Sequence, residues 1–110
     1  MKTEKTTHYT LLSSDEKLFV DFFNSFNSNH SNLENEHLII KLSENLNTSV
    51  EQIALFLSFA DIHKKKGTSF VVICTRIDVD AFPETFNIVP TLEEAIDLLE
   101  METIERDLGF

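Results

Sequence analysis

Residues able to do chemistry are few in this chain, and their spacing limits what they can do. The four histidines, His8, His30, His37 and His63, include no pair at the four-residue spacing by which a helix presents two imidazoles to one metal ion. No clustered Asp or Cys accompanies them, so the pattern predicts no metal site and no cofactor. Cys74 is the single cysteine and forms no internal disulfide; its place in the apolar run Phe70-Val71-Val72-Ile73-Cys74 predicts a buried structural thiol rather than a reactive one. Gly67 and Gly109 are the only glycines, too few for a phosphate-cradling loop or a dinucleotide fingerprint, and there is no G-x-S-x-G nucleophile elbow. The adjacent carboxylates Glu93 and Glu94 fall on a helix face that patterning predicts to be solvated, a poor setting for acid–base work. By residue chemistry the chain reads as a non-catalytic domain.

Composition narrows the class of partner. With 110 residues, 42% hydrophobic and 25% charged, there is material for one globular domain and one core. Nine Lys and Arg against 19 Asp and Glu give a net charge of −10, which disfavours a nucleic-acid binder that must neutralise phosphates, and disfavours anionic lipid surfaces. No apolar run approaches the roughly 20 residues of a membrane span, and the first residues carry no signal-peptide pattern, so the expectation is a cytoplasmic protein. The charge is uneven. Residues 1–76 hold eight basic and nine acidic side chains, whereas residues 77–110 hold one Arg and ten acidic ones, so −9 of the excess lies in the last third.

The elements that must position these residues follow from periodicity and caps. Residues 1–7 are expected to be a disordered N-terminal segment. His8 to Ser13 reads as a strand, and Ser13 with Glu16 as a capping box opening a helix whose Leu18, Phe19, Phe22, Phe23 and Phe26 share one apolar face. The Asn- and Ser-rich stretch Asn24 to Asn32 predicts an exposed loop. Leu38 to Leu42 and Ser69 to Thr75 are continuously apolar strands, central in a sheet covered on both faces. Between them Thr48 and Glu51 form a second capping box, opening a helix that ends at Lys64-Lys65-Lys66-Gly67. Three lysines at the negative end of the helix dipole and a glycine cap explain that ending without a nucleic-acid patch. Asp78 to Phe82 predicts one or two helical turns before Pro83, Asn87 to Val89 a short strand, and Thr91 with Glu94 the cap of a last helix. Strands alternating with helices predict a small α/β fold, a mostly parallel four-stranded sheet with three to four helices.

In that order the pieces resemble the STAS domain, the family of anti-sigma-factor antagonists. Leu38-Ile39-Ile40-Lys41-Leu42-Ser43 is similar to the family's "vvlDLS" strand. A loop, a helix with a basic end and the buried strand Ser69 to Cys74 follow, and Phe86 to Ile96 looks like the closing "lfpvf-TleeAl" strand and helix. Leu11 to Phe26 takes the place of the family's first strand-to-helix passage, while its N-terminal strand is shortened or lost. The resemblance implies one STAS-like domain over residues 1–110, closed by a tail at residues 105–110, that works by binding a protein partner of the anti-sigma factor or kinase type. In the family a serine in a D-S-S-G motif is phosphorylated. Without gaps the motif positions fall on Ser49, Val50, Glu51 and Gln52; a two-residue shift brings Thr48 and Ser49 into register, and the glycine is absent. Thr48 and Ser49 are thus the candidate phosphosites, and Asn45, Asn47, Thr48, Ser49 and Glu51 the candidate partner surface. For Thr48 a plain helix N-cap is the competing role.

The closing run Glu105-Arg106-Asp107-Leu108-Gly109-Phe110 is also similar to short bacterial proteins that carry a ribonuclease Z label. The metal-binding H-x-H-x-D-H run of that nuclease has no match here, so the label implies at most an accessory module working alongside a ribonuclease through its acidic C-terminal helix. The competing reading of the tail is a frayed helix end with Gly109 as cap and Phe110 packed locally. An uncovered sheet edge leaves a homo-oligomer open.

Overall fold

The computed structural model describes residues 1–109. Five strands run in sequential order across one sheet: β1 (Lys2–Lys5), β2 (Thr10–Ser13), β3 (Leu38–Lys41), β4 (Phe70–Ile73) and β5 (Asn87–Val89). β2 to β5 are parallel neighbours and β1 pairs antiparallel with β2, Thr3 opposite Leu12. The fold is α/β as expected, but the sheet is five-stranded and mixed rather than four-stranded and mostly parallel. The added strand comes from the segment read as disordered. All four of its residues are exposed. An edge strand held by its backbone ladder alone buries no side chain, and so writes no hydrophobic pattern into the sequence.

Side chains alternate between the two faces of the parallel strands. Leu12, Leu38, Ile40, Phe70 and Val72 point to one face; Leu11, Ile39, Val71 and Ile73 to the other. The first face is covered by α1 (Phe19–Asn29), α2 (Val50–Ala54) and α3 (Leu57–Lys66), the second by α4 (Leu92–Asp107). Successive crossovers of one hand between strands in sequential order put α1 and the α2–α3 pair on the same side. Phe22, Phe26 and Phe56 are fully buried there, with Phe26 edge-on to Phe56 at 5.2 Å and to Phe59 at 4.9 Å between ring centroids.

Several local expectations shift. Ser13 stays in β2, paired with Lys41, so it caps nothing, and α1 starts at Phe19 without a side-chain cap. Asn24 to Asn32 is not a loop: α1 runs to Asn29 and a 3₁₀ turn covers His30–Asn32. Burial of Phe26 and His30 on the sheet outweighs the weak helix propensity of Asn and Ser. The second capping box forms one residue late, with Ser49 accepting from the Gln52 N–H at 3.2 Å and the Gln52 side chain accepting from the Ser49 N–H at 3.0 Å. The long helix expected behind it is interrupted at Leu55–Phe56, where i→i+3 bonds replace the α pattern and Phe56 turns fully inward. Its end is as read: Gly67 takes φ 76° and caps α3 after three exposed lysines. Asp78 caps a 3₁₀ turn at Val79–Ala81, and Thr91 caps α4 by accepting from the Glu94 N–H at 3.2 Å. Helix α4 continues through Asp107, so Glu105–Asp107 of the expected tail are helical, and the packing expected of Phe110 lies outside the described residues.

Candidate functional site

In an open parallel sheet the loops leaving the carboxyl ends of the strands form the usual binding edge. Here that edge is made of Ser14 after β2, Leu42 to Ser49 after β3, Cys74 to Arg76 after β4 and Pro90 after β5. Small polar groups stitch these loops together. The Ser43 N–H donates to Ser14 Oγ at 2.8 Å, and Ser43 Oγ accepts from the Asn45 N–H at 3.2 Å, capping a 3₁₀ turn at Glu44–Leu46. Thr75 Oγ1 donates to Glu44 Oε1 at 3.0 Å. Two non-glycine residues sit in the left-handed region, Asn47 at φ 50° and Arg76 at φ 58°, and both flank this edge. Asn tolerates that conformation through its short polar side chain; Arg does so at a strain of order 1–3 kcal/mol, and such strain gathers at sites of function.

The residues singled out from the sequence lie on one loop but do not act as one cluster. Asn45, Asn47, Ser49 and Glu51 are exposed. Thr48 turns inward, its hydroxyl 3.6 Å from Cys74 Sγ. Between the β3 and β4 loops lies a cleft of about 40 Å³ lined by Ser43, Glu44, Asn47, Thr48, Cys74 and Arg76, too small for more than a water molecule or two. A shallow basin of about 640 Å³ beside it reaches Asn45, Ser14 and the β1 side chains of Lys2 and Glu4. Burial pushes the Cys74 thiol above its usual range, and its proton is directed at the Thr75 carbonyl at 3.4 Å, so it rests as a buried thiol. All four histidines lie toward the opposite ends of the strands: His8 precedes β2, His37 precedes β3, and His30 and His63 pair beside Thr68 ahead of β4. At the carboxyl edge stand hydroxyls, amides and carboxylates, with no imidazole among them.

Sequence reasoning missed two polar clusters, both assembled by contacts across the chain. His30 and His63 meet through their Nε2 atoms at 2.8 Å inside the aromatic core, and His63 Nδ1 lies 2.8 Å from Thr68 Oγ1. Desolvation, the largest effect, holds His63 down to about pKa 4 and lowers His30 as well. The second cluster borders a groove of about 670 Å³ at the amino end of the sheet between α3, α4 and the loop entering β5. Glu102 accepts from Ser69 Oγ at 2.7 Å and from Asn87 Nδ2 at 2.9 Å, and Arg106 donates to Ser69 Oγ at 3.1 Å. Those groups are spent on tying α4 to β4 and β5, which leaves the carboxyl edge as the better candidate. A 3.6-residue pattern does place Glu102 and Arg106 on the sheet-facing side of α4, the one signal that would have found this cluster.

Among the described residues no group of three or more His, Cys, Asp or Glu gathers to hold a metal ion, and no helix is long and apolar enough to cross a membrane. No family model matches the chain, and no curated protein matches it in sequence.

Proposed function

We propose that this protein is a non-catalytic protein-binding module of the anti-sigma-factor-antagonist type, a STAS-like domain with a degenerate phosphorylation motif, whose partner surface is the loop Asn45 to Glu51. The observation that carries the reading is the form of that loop. It displays Asn45, Asn47, Ser49 and Glu51 outward while the Ser43 cap and the Ser49–Gln52 capping box fix its backbone. A polar loop whose backbone is held by caps, next to a shallow basin, loses little conformational entropy on docking and offers no enclosed chamber for a small substrate. Of the two candidate phosphosites, Ser49 is the exposed one. A phosphoryl group on it would add nearly two negative charges beside Glu51 and alter the charge that the loop presents to a partner.

The partner is a kinase-like anti-sigma protein in this reading. Affinity capture with the purified chain as bait is expected to retain such a protein, and Ser49→Asp and Glu51→Lys to cut retention about tenfold, the effect of a charge placed wrongly at an interface centre. Retention unchanged by both substitutions, or a bound fraction containing no kinase-type protein, overturns the proposal.

A further inference from the structure

Helix α4 has two faces of different character. One is committed to the sheet: Ala95 and Leu99 are buried against Ile39, Val71 and Ile73. On the far side Met101, Ile104 and Leu108 are 60%, 59% and 65% exposed. Spaced three and four residues apart, they form a single stripe about 10 Å long. At about 100° per residue, Glu100 and Asp107 border one flank of the stripe and Glu94 and Glu105 the other, with Asp97 in line one turn earlier.

We infer that this stripe is a docking surface for an amphipathic helical segment of another protein, one whose own apolar positions are flanked by Lys and Arg. The surface is separate from the β3–α2 loop and does not depend on its role. Three large apolar side chains in helical register are the anchors by which one helix receives another. The bordering carboxylates select among the surfaces that could cover them. A lipid-facing helix carries Lys and Arg on its flanks and is drawn to anionic headgroups; these flanks are repelled by them. A second copy would set the acidic flanks of one α4 against those of the other, like charge on like charge. Basic flanks alone turn the borders from repulsive to attractive, and two turns of contact make a small, exchanging interface.

The test uses the whole chain and three labelled synthetic peptides. One is an amphipathic helix with leucines at i, i+3, i+4 and i+7 and lysines on both flanks; the second has the same composition with the leucines scrambled; the third has glutamates for lysines. Fluorescence anisotropy is expected to show the first bound at least about tenfold more tightly than either control, with affinity falling as salt rises. The triple variant Met101→Gln, Ile104→Gln, Leu108→Gln is expected to lose about tenfold for that peptide while its thermal melt stays within a few degrees, the residues being exposed. If the triple variant melts early, Ile104→Gln alone is read instead, with a loss of at least threefold expected. Equal binding of the scrambled peptide, undiminished binding by the variants, no binding of any peptide, or a dimer in sedimentation that the stripe substitutions abolish would each overturn the inference.

Discussion

His63 is the most consequential single residue in the core, since an imidazole with no solvent exposure must keep its nitrogens paired. Its two partners, His30 and Thr68, each lie 2.8 Å away, and burial, which penalises the charged ring, holds its pKa down to about 4 against an ordinary value of 6.5. Between those values the unfolded chain binds a proton that the folded chain refuses. Stability is therefore full above about pH 6.5 and is lost as the pH falls toward 4. From pH 7 to pH 5 this histidine alone should cost about 2 kcal/mol, read by urea denaturation at each pH. Replacing both partners, His30→Phe with His63→Phe, avoids leaving one nitrogen unpaired and should flatten that slope; an unchanged slope in the double variant would assign the acid sensitivity elsewhere. Neither residue could be read as a pair from the sequence. His30 sits in a run of Asn and Ser that looked like a loop, His63 on a helix 33 residues away, and only the packing of α1 against α3 joins them. Cys74 was legible, because a five-residue apolar run is a local signal of burial.

Among the elements, the α2–α3 passage shows how caps divide the work of holding the candidate loop. Ser49 satisfies a helix amide and Gln52 returns the bond, so Ser49→Ala should cost about 1 kcal/mol in denaturant unfolding. Thr48→Val, which keeps the shape against Cys74 and removes only a long contact to sulfur, should cost less than half of that. The reverse order would move the cap back to Thr48. At the far end Gly67 has open space around a would-be Cβ but φ 76°, so Gly67→Ala should destabilise by about 1 kcal/mol through backbone strain rather than a clash. Thr91 and the start of α4 were readable from cap and apolar face together, whereas the Ser13–Glu16 pair ahead of α1 satisfied the capping rule without capping a helix. The position of Ser49 was ambiguous because Thr48-x-x-Glu51 and Ser49-x-x-Gln52 both satisfy the capping rule, and the choice falls to Thr48 being drawn inward by β4. Strand β1 was unreadable for a different reason: its contribution is a backbone ladder on the sheet edge.

At the scale of the molecule the charge is the controlling quantity, and it is concentrated. Residues 77–110 carry −9, and α4 alone holds Glu93, Glu94, Asp97, Glu100, Glu102, Glu105 and Asp107 against Arg106. Like charges at three- and four-residue spacing, Glu93 with Asp97 and Asp97 with Glu100, each weaken a helix by a few tenths of a kcal/mol. Among the described residues attractive pairs on the surface are few: Lys5 with Glu36, Lys65 with Asp61 and Lys66 with Glu34, besides the N-terminal ammonium with Asp15 and Glu16. Exposed pairs of this kind contribute about 0 to 1 kcal/mol apiece, and salt weakens them too. The balance turns on range. At about 0.01 M salt the Debye length is about 30 Å and every acidic group in a molecule of 13.1 Å radius of gyration feels the others; at about 0.15 M it is about 8 Å and only neighbours interact. Long-range repulsion among ten uncompensated charges is thus removed while contact pairs at 2.5–3.4 Å are weakened much less. Raising the salt from 0.01 to 0.15 M at neutral pH should raise the melting temperature by several degrees, the shift that about 1 kcal/mol produces in a domain of this size. A melting temperature that falls instead would mean that the few ion pairs outweigh the acidic terminal third, and α4 would then be held by its charges rather than in spite of them.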